Sequence, residues 1–205
     1  MTQKAGRIWL GVLALALAGG ATWAWNYKEG LSGIEKERLW ELPQFRMVSA
    51  ADGKPFGSED LRGKVWVAGF IFTRCQGPCP VITANMARLQ SELPDGARLV
   101  SFTVDPEWDD ADVLRGYMEE FGADPSLWVF LTGDPKTLYD LLYRGFKLPV
   151  MKNPGMPGGF AVTHSSRLVL VDPDGVARAT YEGTSPDSLK KIVRDARALL
   201  KEPRT

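Results

Sequence analysis

Two cysteines, Cys75 and Cys79, are the side chains in this sequence best suited to redox or metal chemistry. They stand in the stretch FTRCQGPCPVITANM with three residues between them, and they are the only cysteines among 205 residues. An i, i+4 pair on a helical turn places both thiols on one face, near enough to chelate one metal ion or to close a disulfide. The spacing is compatible with three roles for the pair: a redox-active dithiol, part of a metal-binding site, or a structural disulfide.

The cysteine pair lies where a predicted strand meets a predicted helix. Residues 65–73, VWVAGFIFT, form a short apolar run that is typical of a strand buried on both faces, and residues 80–93, PVITANMARLQSEL, carry apolar side chains at helical spacing. The amino end of a helix lowers the pKa of a nearby thiol, and the thiolate is the reactive, metal-binding form. A structural disulfide is the weaker explanation, because closing so short a loop removes little chain entropy.

His164 is the only histidine of the chain and stands in VTHSSRLVLVD, at the start of a late predicted strand. A lone histidine is commonly a surface residue or a hydrogen-bonded core residue. In a thioredoxin-like arrangement, however, the loop before this strand packs against the cysteine turn, and thioredoxins have a cis-proline there. Here His164 takes that place, so the sequence predicts a metal site made of Cys75, Cys79 and His164.

The ligand types indicate copper. Two thiolates and one imidazole suit Cu(I) in a trigonal site and can also hold Cu(II), whereas a structural zinc site would call for a fourth protein ligand. Met151 and Met156 precede His164 in the same loop. Their thioethers could contact copper in transit, or they could be no more than soft apolar contacts.

Strands and helices alternate along the rest of the chain, which predicts an α/β fold with a mixed central sheet flanked by helices. Residues 45–56 read as an added N-terminal β-hairpin that turns at Asp52-Gly53. The later predicted elements are a strand at 97–104, a helix at 111–122, a strand at 127–133, a helix at 135–146, two strands within 166–183 and a helix at 185–200. This order indicates a thioredoxin-like fold.

The first residues of the chain predict one transmembrane helix. Residues 8–25 carry no charge, would reach roughly 27 Å as a helix, and follow Lys4 and Arg7. A cleaved signal peptide is the alternative, because Ala16-Leu17-Ala18 offers a cleavage site. We expect a tail and anchor over 1–28, a stem over 29–43 and a copper-binding domain over 44–205. Both interpretations export the domain: the anchored form is single-pass in the inner membrane with its C-terminal domain in the oxidising periplasm.

The overall charge excludes one class of partner. Lys and Arg total 25, as do Asp and Glu, so the chain has no net field to attract nucleic acid.

The chain resembles the Sco/SenC copper-binding assembly factors for cytochrome c oxidase. The resemblance rests on FTRCQGPCP, TVDPEWDDADVLRGYMEEFG and THSSRLVLVDPDG, in that order, and spans roughly residues 43–200. It implies that Cys75, Cys79 and His164 hold one copper ion. It also implies delivery to the binuclear copper site of oxidase subunit II, with another copper chaperone or a thiol reductase as further partners.

The resemblance also draws attention to Asp105, which matches an acidic position that supports the site or a partner surface. A turn-forming aspartate at a strand end is an equal explanation. The sequence departs from the family pattern at Gln76, where proline is usual, and at Thr163, where aspartate is usual. Losing that carboxylate could lower the basicity of His164 and shift the redox preference of the copper.

Two functions follow as hypotheses. The first is a metallochaperone, which is not an enzyme, and the second is a thiol-disulfide reductase in which Cys75 and Cys79 keep a partner's cysteines reduced. The two chemistries exclude each other at any one moment, because an oxidised pair cannot ligate a metal, but they could alternate.

Overall fold

The structure is a computed structural model that describes residues 37–153, 155–156 and 162–203. The predicted tail and anchor, residues 1–28, and the first part of the predicted stem lie outside the described residues. Within the described ranges, no helix is both long and apolar enough to cross a bilayer.

One mixed sheet of eight strands forms the centre of the domain, in the order β1-β10-β9-β4-β5-β6-β2-β3. Its strands are β1 (Trp40–Glu41), β2 (Arg46–Ser49), β3 (Pro55–Gly57), β4 (Val65–Ile71), β5 (Ala97–Thr103), β6 (Trp128–Thr132), β9 (Arg167–Val171) and β10 (Val176–Glu182). The central strands β4, β5 and β6 are parallel. Strand β9 pairs antiparallel with β4, and β10 pairs antiparallel with β9. The predicted mixed sheet is therefore confirmed.

In the described part of the chain, five α-helices accompany the strands, and four of them lie where the sequence predicted a helix; the first, of four residues, was not predicted. They are α1 (Ser58–Leu61), α2 (Cys79–Glu92), α3 (Ala111–Glu120), α4 (Pro135–Asp140) and α5 (Pro186–Leu199). The predicted helix at 135–146 differs in its second half, because Leu141–Gly145 is a π-helical turn in which the Phe146 amide donates to the Leu141 carbonyl at 3.0 Å.

The N-terminal hairpin is confirmed as the antiparallel pair β2 and β3, with Gly53 at φ 70° in its turn. It joins the sheet where β2 pairs with β6. Strand β1 lies within the segment predicted as a stem and pairs with β10. A strand of two residues in a charged stretch gives no periodic signal, so sequence reasoning could not separate it from a polar linker.

The packing of α2 on β4 fixes the place of the cysteine turn. Every residue of β4 is buried, as expected for a central strand. Gly69 leaves room for α2, since a Cβ at that position would lie 2.3 Å from the Met86 sulfur. On the other face, Phe45, Trp66, Phe102 and Phe146 form an aromatic cluster. The end of β4 and the start of α2 are thus held between two packed layers.

A second, small sheet positions the histidine. It consists of β7 (Met151–Lys152) and β8 (Val162–Thr163), which pair antiparallel. His164 follows β8 directly and precedes β9. The Asn153 amide donates to the Thr163 hydroxyl at 3.0 Å and ties the two strands together beside their backbone pairing.

Candidate metal centre

The cysteine turn joins the end of β4 to the first residue of α2. The Cys75 amide donates to the Phe72 carbonyl at 3.2 Å, and Pro78 is the N-cap of the helix that begins at Cys79. Cys79 is fully buried, whereas Cys75 is partly exposed, and both thiols are free. The turn therefore presents one accessible sulfur and keeps the other behind it.

His164 reaches this turn from the segment between β8 and β9. Its Nε2 lies 3.5 Å from the Cys79 sulfur, and its ring stacks edge-on against Phe72 at a centroid distance of 5.8 Å. Its Nδ1 lies 2.9 Å from the Ser165 carbonyl oxygen. A carbonyl only accepts hydrogen bonds, so Nδ1 carries the proton and the Nε2 lone pair of the neutral ring faces Cys79. The backbone thus orients the ring, a task that a neighbouring carboxylate often performs at metal sites.

The three side chains differ in their pKa values and therefore in their protonation states. A hydrogen bond from Cys79 lowers the pKa of Cys75 to about 6, and the Gly77 amide adds a second donor at 3.4 Å. The same bond and burial raise the pKa of Cys79 well above its usual range. Burial lowers the pKa of His164. At neutral pH the site therefore holds one thiolate, one thiol and one neutral imidazole.

The distance between Cys79 and His164 fits two ligands of one ion. With the bond lengths of zinc sites, about 2.3 Å to sulfur and about 2.0 Å to nitrogen, two donor atoms lie about 3.5 Å apart at a tetrahedral angle and about 3.7 Å apart at a trigonal one. Among the described residues, no group of three or more His, Cys, Asp or Glu side chains is already closed around a metal position. Cys79 contacts both of the other donors, so the three side chains are neighbours at the turn.

Asp105 does not touch the three donors but holds the residue next to one of them. Its carboxylate accepts hydrogen bonds from Arg74 at 2.9 Å and 2.8 Å, and its side chain is almost fully buried. Its carbonyl also accepts the amides of Trp108 and Asp109, so it has the turn-forming role too. The Arg74 guanidinium lies 4.6 Å from the centre of the half-exposed Trp108 ring.

Asp109 is a site residue that sequence reasoning missed. It is fully buried, and its carboxylate accepts hydrogen bonds from the Thr73 amide at 3.1 Å, the Thr73 hydroxyl at 2.5 Å and the Thr103 hydroxyl at 2.6 Å. Asp105 and Asp109 thereby anchor the two residues that precede Cys75. The sequence offered one weak signal, a cluster of acidic residues directly after a predicted strand.

Cys75 and His164 line a cleft of about 340 Å³, and Cys79 is buried behind them. Its walls include Phe72, Cys75, Pro78, Val162 and His164, and its lining is mostly apolar. A second hollow adjoins it and contains the charged side chains Arg74, Asp105, Glu107 and Lys152. The site can therefore be reached from outside, and the surface beside it is polar.

Comparison with known proteins identifies relatives of this chain. Residues 36–201 match the sequence model of the SCO1/SenC family. The SCO1 protein homolog of Bacillus subtilis (strain 168) is 35% identical over 151 residues, which cover 72% of this chain and 77% of that protein.

Two solved structures extend the comparison. BsSco, described as a member of the Sco family of cytochrome c oxidase assembly proteins with a disulfide switch, is 33% identical with a TM-score of 0.71, covering 81% of this chain and 97% of that one. Copper-bound ScoI of Arabidopsis thaliana is 25% identical with a TM-score of 0.66, covering 76% and 97%. The predicted thioredoxin-like α/β core agrees with these structures.

Proposed function

The chain belongs to the SCO1/SenC family, and from that premise we propose that it carries one copper ion on Cys75, Cys79 and His164 for the assembly of cytochrome c oxidase. The observation that supports this most directly is the 3.5 Å approach of the Cys79 sulfur to the free lone pair of His164. Copper is the cargo, and the recipient is the binuclear copper site of oxidase subunit II.

The donor set explains how copper could be both held and released. Thiolate sulfur and imidazole nitrogen are ligands that copper prefers, and three donors leave room for a ligand of the recipient to join. Binding requires the Cys79 thiol to lose its proton, so loading releases one proton at neutral pH. Because Cys75 is partly exposed, the recipient can exchange its ligands for this sulfur first.

Competition for Cu(I) tests this proposal. The reduced full-length chain is titrated without oxygen against a coloured Cu(I) chelator, beside the variants Cys75→Ser, Cys79→Ser and His164→Ala. We expect one equivalent to bind to the parent and each variant to bind at least about tenfold more weakly, a loss of about 1.4 kcal/mol. Ser165→Ala is the matched control, because it leaves the carbonyl that orients His164. Unchanged affinity in all three ligand variants would refute the copper site.

A second function, thiol-disulfide reduction, is favoured by the low pKa of Cys75 beside the buried Cys79. The Cys75 thiolate attacks a partner disulfide, forms a mixed disulfide and releases one partner thiolate. Cys79 then gives up its proton, attacks the Cys75 sulfur and releases the second partner thiol. The partner gains two electrons, and this chain is left as a disulfide that an external dithiol must reduce.

His164 separates the two functions, because disulfide exchange does not need an imidazole ligand. An insulin-type disulfide reduction assay is therefore run on the parent and on His164→Ala. A reductase keeps its turnover in this variant, whereas a copper carrier loses affinity. Substantial turnover together with unchanged copper binding in His164→Ala would favour the reductase over the carrier.

The location of the domain follows from the N-terminal sequence. Residues 8–25 anchor the chain in the inner membrane as a single span, with the C-terminal domain on the periplasmic side. Protease added to intact spheroplasts should degrade the domain, and mass spectrometry of the mature protein should find residues 1–18 still attached. A mature chain that begins at residue 19 would establish cleavage instead of anchoring.

A further inference from the structure

Met156 lies at the mouth of the metal cleft. It lines the cleft together with Cys75 and His164, and it also lines the adjoining charged hollow. Its exposure is 54%, which is high for so apolar a side chain. Met156 therefore stands between the outside and the predicted copper ligands.

Met151 provides an internal comparison. It is similarly exposed, at 60%, and it precedes Met156 by five residues in the same loop. It belongs to strand β7, however, and is not part of the cleft wall in the described residues. Sequence reasoning could not distinguish these two thioethers, whereas the fold brings only one of them to the donors.

We infer that Met156 is a docking ligand for incoming Cu(I), which its thioether binds first and passes to Cys75. This inference rests on the copper-carrier function proposed above. In the first step a bond from the Met156 sulfur to copper forms while a bond from the donor to copper breaks. In the second step the Cys75 thiolate replaces the thioether. Copper stays Cu(I) throughout, so no electron donor or acceptor is required.

The chemistry of a thioether suits a transient role. It is a soft ligand that Cu(I) accepts, it carries no proton to remove, and it bears no charge. A neutral thioether binds Cu(I) more weakly than a thiolate does, so the transfer of Cu(I) to Cys75 lowers the free energy. The three rotatable bonds of methionine allow its sulfur to move with the ion across the cleft.

Methyl NMR shows directly whether the thioether meets copper. The Cys75→Ser variant of the full-length chain, in which Cu(I) has no Cys75 thiolate to pass to, is labelled with ¹³C at its methionine methyl groups and titrated with up to one equivalent of Cu(I) without oxygen. Adding Met156→Leu or Met151→Leu assigns the two signals. We expect the Met156 methyl signal to shift and the Met151 signal to stay. An unmoved Met156 signal would overturn the inference.

Loading kinetics provide the second test. Transfer from a Cu(I)–bicinchoninate complex is followed by stopped-flow absorbance for the parent and the two leucine variants. Met156→Leu should load about fivefold more slowly, which corresponds to about 1 kcal/mol in the barrier, with final affinity changed less than twofold. Met151→Leu should load at the parental rate. Equal rates in all three proteins would also overturn the inference.

The outcomes distinguish this inference from the function on which it rests. If the parent binds Cu(I) through Cys75, Cys79 and His164 but both methionine variants behave like the parent, only the role of Met156 fails. If the parent binds no Cu(I), the copper-carrier function itself fails.

Discussion

The Cys79 sulfur lies 3.5 Å from Nε2 of His164, although 85 positions separate the two residues in the chain. Helix α2 supplies the first and the β7–β8 hairpin positions the second. The central sheet fixes both, because α2 follows strand β4 and packs on it, and His164 directly precedes the β9 segment, which pairs with β4. The proposed donors therefore come together only in the folded domain, whereas an unfolded chain keeps the two cysteines close and leaves the histidine 85 positions from Cys79.

Copper should consequently stabilise the fold, and His164 should determine how much. A ligand that prefers the folded state adds about 2.7 kcal/mol of stability at a free concentration of a hundred times its Kd. We expect Cu(I) to raise the Tm of the parent by several degrees and that of His164→Ala by clearly less, since its two cysteines bind copper in the unfolded chain as well. Scanning calorimetry without oxygen measures both, with Ser165→Ala as the control. Equal shifts in the parent and His164→Ala would contradict the prediction.

Cys75 should react with alkylating agents well below the pH at which an ordinary thiol does. Its pKa is about 6 because Cys79 donates a hydrogen bond to its sulfur. Since the thiolate is the nucleophile, its alkylation rate should rise with pH, reach half its maximum near pH 6 and level off above neutral pH. Cys79, with a raised pKa, should stay unmodified. Iodoacetamide labelling with peptide mass mapping measures both sites.

The variant Cys79→Ala tests the cause of this reactivity. Without the donated hydrogen bond, the pKa of Cys75 should return toward its usual range, and the midpoint of the labelling curve should move to higher pH. A midpoint unchanged from the parent would mean that Cys79 does not lower the pKa of Cys75.

Asp109 should make stability depend on pH in a direction opposite to that of a salt-bridged carboxylate. Burial raises its pKa above the reference value of 3.8, although hydrogen bonds from Thr103 and Thr73 partly offset this. The folded state therefore favours the protonated acid. Its contribution to the free energy of unfolding is largest below the unfolded pKa and falls as the pH rises through the folded pKa. Urea unfolding of the parent and Asp109→Asn from pH 3.5 upward measures the difference.

The amide of Asp109→Asn cannot ionise, so the stability of the parent relative to this variant should decline with rising pH over that window. A difference that grows with pH would show that the pKa of Asp109 is lowered instead. Asp109→Ala should cost roughly 1–3 kcal/mol at every pH, because it leaves the donors of Thr73 and Thr103 without their acceptor.

The central strand and the helix that packs on it could be predicted, because each is encoded by a pattern within a short stretch of sequence. Strand β4 is an unbroken apolar run, and α2 repeats its buried side chains at helical spacing. The proposed ligands could be identified as candidates from the sequence, Cys75 and Cys79 by their spacing and His164 by its position in a thioredoxin-like order, and the structure brings Cys79 and His164 into contact. The ligand role of these three residues and the location of the domain stay predictions that the experiments above address.

The support of the site was not predictable, because it depends on contacts between distant segments. Asp109 and Asp110 are adjacent and chemically alike, yet Asp110 caps α3 at the surface while Asp109 is fully buried beneath the cysteine turn. No local pattern separates them. The same holds for β7 and β8, which are two residues long and pair across a loop rich in proline and glycine.

Replacing Arg178 should lower the free energy of unfolding more than replacing any other charged residue, because its buried guanidinium contacts residues near both ends of the described domain. It pairs with Asp172 at 3.0 Å and with Glu202 at 2.8 Å, and it donates to the Glu37 carbonyl. The side chains of Arg178 and Asp172 are 2% and 3% exposed. Removing one partner of a buried pair leaves the other charge uncompensated, so Arg178→Met should lower the free energy of unfolding by about 3–5 kcal/mol.

Arg194→Met is the matched control for Arg178→Met. Arg194 also contacts a carboxylate, that of Asp195 at 2.7 Å, but its side chain is 57% exposed. Solvent screens such a pair, so its loss should cost less than about 1 kcal/mol. Urea unfolding followed by circular dichroism measures both variants. Because Arg178→Met leaves the buried Asp172 carboxylate with only the longer Arg38 pair at 3.9 Å, adding Asp172→Asn should recover part of the loss. Equal stability losses in the two single variants would mean that burial adds nothing to the Arg178 pairs.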